Sequence, residues 1–111
     1  LTDDDPVSVE ELLGRVDAAA RALNLRRGIH ELAVYKETVR EFMRKILHAS
    51  RRMKEERRWD RQGNARVMKI TAAVDQNLER LTEMVLVAQS SSLDLLAMMD
   101  EIRGLLIDFM F

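Results

Sequence analysis

Glu37 and Glu41 form the carboxylate pair whose spacing is closest to that of a metal site. They are four residues apart, so they would share one face of a helix, as the carboxylates of di-iron helical bundles do. No Glu-x-x-His partner motif occurs elsewhere in the sequence. Ion pairing with Arg40, Arg44 or Lys45 on the same surface therefore explains the two glutamates better than a metal ion does.

The two histidines are too far apart to act on one ligand. His30 and His48 would lie about five helical turns apart, so a single helix cannot bring both to one ion. The sequence also contains no cysteine, no glycine-rich phosphate loop, no nucleophile elbow and no zinc-binding helix motif. We therefore predict no catalytic residue, no cofactor and no metal site, and a protein that is not an enzyme.

The positive charge of the chain is concentrated in its middle, although the net charge is only −1. Residues 26–66 carry 13 basic and 6 acidic side chains. We call residues 51–66, which also hold the only tryptophan, the basic corner. Its basic and aromatic side chains are the candidate partner contacts: Arg51, Arg52, Lys54, Arg57, Arg58, Trp59, Arg61 and Arg66.

Three interpretations of the basic corner remain open. It can be a structural turn whose cations complement a helix C-terminus, a surface for a protein partner, or a site for nucleic acid or another polyanion. Glu55, Glu56 and Asp60 interrupt the positive charge, and only 5% of the residues are aromatic, which argues against nucleic acid. Trp59 can be either a buried plug or an exposed contact.

The hydrophobic pattern predicts one all-α domain over residues 1–111, an antiparallel four-helix bundle. An acidic extension, residues 1–7, precedes helices at about 8–24, 29–58, 64–89 and 92–110. Ser8 and Glu11 have capping-box spacing at the start of the first helix. Gly63 and Asn64 are expected to break the chain between the second and third helices, which form a long hairpin. Because the chain begins at Leu1 and not at methionine, we expect a native N-terminal segment to precede it.

The fourth helix has an unusually wide apolar face. On a helical wheel its apolar residues cover an arc of roughly 180°, against the ~100° stripe of a surface helix. One neighbour cannot cover that arc, so this helix is either central in the bundle or part of a homodimer interface. Arg103, near Asp100 and Glu101, is expected to form an ion pair. Gly104 predicts the close approach of another backbone.

Several short segments of the sequence resemble one bacterial family. They are Arg58-Trp59, Arg66-Val67, Val74-Asp-Gln-Asn-Leu-Glu-Arg-Leu-Thr-Glu, Leu93-Asp-Leu-Leu and Glu101-Ile-Arg-Gly-Leu-Leu-Ile-Asp-Phe. Together they resemble the YaaR family over roughly Ala20 to the C-terminus. That resemblance implies a small all-α bacterial domain of unknown function, and it brings no catalytic residue with it.

The overall composition limits where the chain can work. The apolar run from Met84 to Ala88, which no other run exceeds, is far shorter than the roughly 20 residues that a membrane-spanning helix needs. The absence of cysteine is compatible with a reducing cytoplasm. We therefore expect a non-enzymatic interaction or scaffold protein of the bacterial cytoplasm. It would bind an unknown protein partner and could form a homodimer through its fourth helix; nucleic-acid or polyanion binding through the basic corner is the alternative.

Overall fold

Four α-helices make up the described chain. The computed structural model describes residues 8–54, 61–87 and 90–110, and for residues 50–54, 61 and 62 it describes the backbone alone. The helices are α1 (Val9–Arg26), α2 (Ile29–Lys54), α3 (Arg61–Leu86) and α4 (Ser92–Met110). The prediction of an all-α four-helix bundle is confirmed.

Both ends of α1 are set by local sequence. The Ser8 hydroxyl accepts a hydrogen bond from the Glu11 backbone N–H at 3.0 Å, as its N-cap position predicts. At the other end Arg27 adopts the left-handed conformation, with φ 52° and ψ 28°, and its N–H bonds the Leu23 carbonyl at 2.8 Å. This position usually selects glycine, but here the glycine follows it, at Gly28.

The break between α2 and α3 differs from the expected one. α3 begins at Arg61, so Gly63 and Asn64 lie inside the helix and do not separate it from α2. Both residues fall within the first four positions of α3. A glycine in a helix costs about 0.5–1 kcal/mol relative to alanine, which is too little to end a helix on its own. The expected end of α2 at residue 58 lies outside the described residues.

The helices form a ring in chain order, and each runs antiparallel to the next. α1 packs most closely on α2, and α3 on α4, while α1 also meets α4 and α2 meets α3. The long helices α2 and α3 thus form the predicted hairpin, but they touch each other less than each touches its other neighbour. Across the described ranges, α1 and α3 are diagonally opposed without contact.

The apolar seams predicted from the sequence form one core. Tyr35, Val39 and Phe42 of α2 are fully buried, and so are Val74 and Leu81 of α3. They pack with α1 and α4 side chains in a single cluster. The largest fully buried side chains are Tyr35, Phe42, Leu23, Leu78, Leu81, Leu95, Ile102 and Leu106.

The wide apolar face of α4 is explained by its three neighbours. α4 contacts α1, α2 and α3, so three surfaces share its arc. Leu95, Ile102 and Leu106 are fully buried inside the bundle. α2 also contacts all three other helices, so α2 and α4 meet across the centre of the bundle. The width of the arc therefore gives no separate argument for a second copy on α4.

Candidate functional site

The residues of the predicted basic corner are only partly placed. Arg51, Arg52 and Lys54 lie in the last turns of α2, and Arg61 begins α3. Arg57, Arg58 and Trp59 lie outside the described residues, so the two interpretations of Trp59 both stay open. Arg66 is the one candidate contact whose side-chain partner is described.

Arg66 has a structural partner inside the bundle. Its Nη2 donates a hydrogen bond to the backbone carbonyl of Asp108 at 2.7 Å. Asp108 lies in the last turn of α4, where carbonyl groups have no intrahelical donor. A cation at this position also complements the negative end of the helix dipole. Arg66 therefore ties the start of α3 to the end of α4.

A groove opens where α2 and α3 pack loosely. It has a volume of about 390 Å³, with Met43 and Leu47 of α2 as its apolar lining. Its polar lining is Arg40, Arg44, His48, Thr71 and Asp75. Both charge signs are present, so the groove does not single out an anionic ligand.

The predicted chemistry-bearing pairs do not converge. Glu41 pairs with Lys45 on α2 at 4.0 Å, which agrees with the ion-pair interpretation. Neither Glu37 nor Glu41 lines the groove that contains His48, and His30 is exposed near the start of α2. The described residues contain no group of three or more His, Cys, Asp and Glu side chains able to hold a metal ion.

Arg103 forms an ion pair with α1 and not with its own helix. Its Nε lies 3.0 Å from Oδ1 of Asp17, and its Nη2 lies 3.4 Å from Oδ2. From the sequence, the acidic residues near Arg103 were Asp100 and Glu101 on the same helix. A helical wheel does not show which other helix faces Arg103, so Asp17 was not identified as its partner. The pair is partly exposed, with side-chain exposures of 39% and 33%.

Tyr35 is a buried polar group close to that pair. Its hydroxyl has no hydrogen-bond partner among the described residues, although the whole residue is buried. Burial, and to a smaller extent the negative charge of Asp17, raise the pKa of the Tyr35 hydroxyl. The aromatic ring of Tyr35 packs in the core, and its hydroxyl forms no hydrogen bond to a described residue.

Large exposed apolar side chains gather at one end of the bundle. Nine such side chains are exposed among the described residues, and five of them flank the α1–α2 and α3–α4 turns. We call these five the apolar end. Between 50% and 82% of each residue is exposed. They are Leu25, Ile29, Leu86, Val87 and Leu93.

Two hydrogen bonds hold the two turns of the apolar end together. Arg27 Nη1 donates to the Ser90 carbonyl, and the Ser92 hydroxyl donates to Oδ1 of Asn24 at 2.8 Å. Ser91 caps α4 by accepting from the Asp94 N–H at 3.0 Å. The apolar end is therefore one cross-linked surface and not two independent turns.

Sequence reasoning missed this surface. The signal was present, because Leu25 and Ile29 lie on either side of the Arg27-Gly28 turn, and Leu86 and Leu93 on either side of the serines. Apolar residues at helix ends are easily assigned to the adjoining helical stripe. Only the three-dimensional arrangement shows that the stripe does not cover them and that the two turns are neighbours.

The fold and its surfaces define a class of protein: a small four-helix bundle with one exposed apolar end. No helix in the described part of the chain has the length and apolar character needed to span a bilayer. Residues 3–110 match the model of the family described as "Protein of unknown function (DUF327)". The chain belongs to that family.

Individual relatives agree with this assignment. The chain is 29% identical over 97 residues to the uncharacterized protein YaaR of Bacillus subtilis (strain 168). That match covers 87% of this chain and 66% of YaaR. The resemblance to the YaaR family inferred from the sequence is thus confirmed, and the chain spans slightly less than two thirds of that relative.

Two solved structures share the fold. The crystal structure of the uncharacterized protein BH1478 from Bacillus halodurans has a TM-score of 0.80 and 35% identity, covering 93% of this chain and 84% of that one. A second is Moevan, described as a designed granulopoietic protein made by topological rescaffolding. It has a TM-score of 0.83 and 31% identity, covering 93% of this chain and 88% of that one.

Proposed function

We propose that this chain is a non-enzymatic protein-interaction module of the bacterial cytoplasm, and that it binds through the apolar end. The observation that carries the proposal is the exposure of Leu25, Ile29, Leu86, Val87 and Leu93 at two turns that hydrogen bonds hold together. Contiguous apolar patches of a few hundred Å² on a protein surface mark interaction sites more often than isolated exposed residues do. The cytoplasmic assignment is supported by the absence of cysteine.

The energetics of the apolar end favour binding. Burying one leucine or isoleucine side chain contributes about 1.5–3 kcal/mol. Several such side chains on one surface supply an affinity that does not depend on charge. The hydrogen bonds of Arg27 to Ser90 and of Ser92 to Asn24 hold that surface in place before a partner arrives. A preorganised surface loses less conformational entropy on binding.

The basic corner has less support as the binding surface. The described side chain among its candidates, Arg66, is engaged with the Asp108 carbonyl. A structural role for at least this cation fits the first interpretation of the corner. Nucleic-acid binding stays an alternative.

Site-specific photo-crosslinking tests the proposal. A photoreactive amino acid is placed at Leu25 or at Leu93 in the protein expressed in its native cells, with Met68 as the matched control. Met68 is 72% exposed and lies near the start of α3, at the opposite end of the bundle. We expect crosslinked protein adducts from positions 25 and 93. Ile29→Ser should reduce the amount of these adducts. Equal adducts from position 68, or none from any position, would contradict the proposal.

A further inference from the structure

We infer that the apolar end binds a second copy of this chain in a closed two-fold dimer. This inference rests on the proposed function and names its partner. The charges that border the apolar end carry the argument, because they differ in sign on its two sides.

The α1–α2 side of the apolar end is basic. Arg26 is the exposed charged residue of residues 24–31, because the Arg27 guanidinium bonds the Ser90 carbonyl and Glu31 is half-buried. Arg26 is exposed between the exposed residues Leu25 and Ile29. A partner facing this side would gain from negative charge.

The α3–α4 side of the apolar end is acidic. Glu83 and Asp94 are its only charged residues over residues 83–94. Both are exposed and lie close in sequence to Leu86 and Leu93. A partner facing this side would gain from positive charge, opposite to the preference of the other side.

A second copy satisfies both preferences at once. In a two-fold interface the same surface is used by both chains, and an axis that passes between the two sides sets the α1–α2 side of one chain against the α3–α4 side of its partner. Each Arg26 then lies toward an acidic side of the other copy, and the apolar residues meet at the centre. A uniformly acidic or uniformly basic partner would be repelled by one side.

The size of the apolar end suits the centre of such an interface. Stable interfaces bury about 800 Å² on each partner, with an apolar core and a polar rim. Five large side chains, each at least half exposed, supply a core of a few hundred Å². The bordering charges supply the rim. On α4 this places the contact at Leu93, near the start of the helix, and not along the length of the helix.

Sedimentation equilibrium of the 111-residue chain tests the inference between about 1 and 100 µM. We expect a monomer–dimer equilibrium that Ile29→Ser weakens about a hundredfold, because each dimer loses two buried isoleucines. Met68→Ser is the matched control, since both residues are 72% exposed, and it should leave the dimer unchanged. Circular dichroism confirms that each variant keeps its helices.

Charge exchange tests whether the surface complements itself. Arg26→Glu alone and Glu83→Lys alone should each weaken the dimer, and the double variant should recover most of the lost affinity. A chain that stays monomeric at the highest concentration, a larger assembly, or a dimer insensitive to Ile29→Ser would overturn the inference. Adducts to a different protein from positions 25 and 93, with a monomeric chain, would leave the proposed function standing. Without such adducts both would fail.

Discussion

Arg103 of α4 holds Asp17 of α1 through two hydrogen bonds, Nε to Oδ1 at 3.0 Å and Nη2 to Oδ2 at 3.4 Å. Paired contacts of this kind fix the relative orientation of both side chains. The two helices otherwise meet less extensively than α1 meets α2 or α3 meets α4. The Arg103–Asp17 pair thus adds a specific contact between α1 and α4, which pack less extensively.

A double-mutant cycle should measure this pair. We expect Asp17→Asn, Arg103→Gln and the double variant to give a coupling energy of about 0.5–1 kcal/mol, because the pair is partly exposed and screened. Urea unfolding at low and high salt provides the measurement. The coupling should shrink as salt rises, and a coupling near zero at low salt would show that the pair does not stabilise the folded chain.

Replacing Tyr35 by phenylalanine should not destabilise the protein. The hydroxyl is buried without a described partner, so its removal should raise the free energy of unfolding by up to about 1 kcal/mol. Tyr35→Leu is the control, and it should destabilise the core because it also removes the ring. If Tyr35→Phe lowered the free energy of unfolding by more than about 1 kcal/mol, the hydroxyl would have a hydrogen-bond partner, which contradicts this expectation.

The same residue predicts a stability change at alkaline pH. The pKa of Tyr35 is raised in the folded state, chiefly by burial. Its contribution to stability is therefore complete below the unfolded pKa of about 10 and declines as pH rises above that value. Between about pH 9 and pH 11 the native chain should lose stability relative to Tyr35→Phe, which lacks the group. Parallel pH dependence of the two proteins would contradict the assigned cause.

Gly104 should accept alanine. The sequence suggested a close backbone approach here, but a Cβ atom added at Gly104 would meet no atom of the described residues within 4 Å. At an exposed position in a helix interior, as at Gly104, glycine to alanine gains about 1 kcal/mol in helix propensity. Gly14 of α1 is a second open position and serves as the comparison. Thermal unfolding of both variants checks this, and destabilisation at Gly104 alone would indicate a contact on that face of α4.

Arg27 combines a strained backbone with a useful side chain, and two variants separate the effects. Arg27→Ala keeps the left-handed conformation but loses the bond to Ser90, so it should destabilise by about 1 kcal/mol. Arg27→Gly also relieves the strain, so it should be more stable than the alanine variant by about 1 kcal/mol. Urea unfolding of the three proteins measures both terms. Equal stability of the two variants would show that the backbone strain is negligible.

The nucleic-acid alternative has a direct test. The measurement is fluorescence anisotropy with short labelled RNA and DNA, starting at low salt. We expect to find no binding of the salt-sensitive kind. Salt-sensitive binding that is lost in Arg57→Ala and Arg58→Ala would favour the basic corner and overturn our expectation. Arg21→Ala, which removes an exposed cation from α1, is the control.

Much of the fold followed from the sequence because it depends on periodicity. The recurrence of Leu32, Tyr35, Val39 and Phe42 identifies the buried side of α2 without any knowledge of its neighbours. The α1 start followed from Ser8 in the same way, since a cap is a local interaction.

What the sequence could not supply were relations between distant segments. The pairing of Arg103 with Asp17 depends on which helix lies beside α4, and the same is true of Arg66 with Asp108. The apolar end also depends on such a relation, because Leu25 and Leu93 become one surface only when two turns meet. The start of α3 was placed too late for a local reason, since the entropic cost of one glycine, about 0.5–1 kcal/mol, does not end a helix on its own.

The ring arrangement has a practical consequence for handling this protein. α1 ends and α4 begins at the apolar end, so the described chain enters and leaves the bundle at the opposite end. A fluorescent label attached near the start of α1 or the end of α4 would lie there and leave the apolar end unobstructed. The same neighbouring ends make the bundle suitable for circular permutation, with new termini cut into the α1–α2 turn as a way to disrupt the apolar end on purpose.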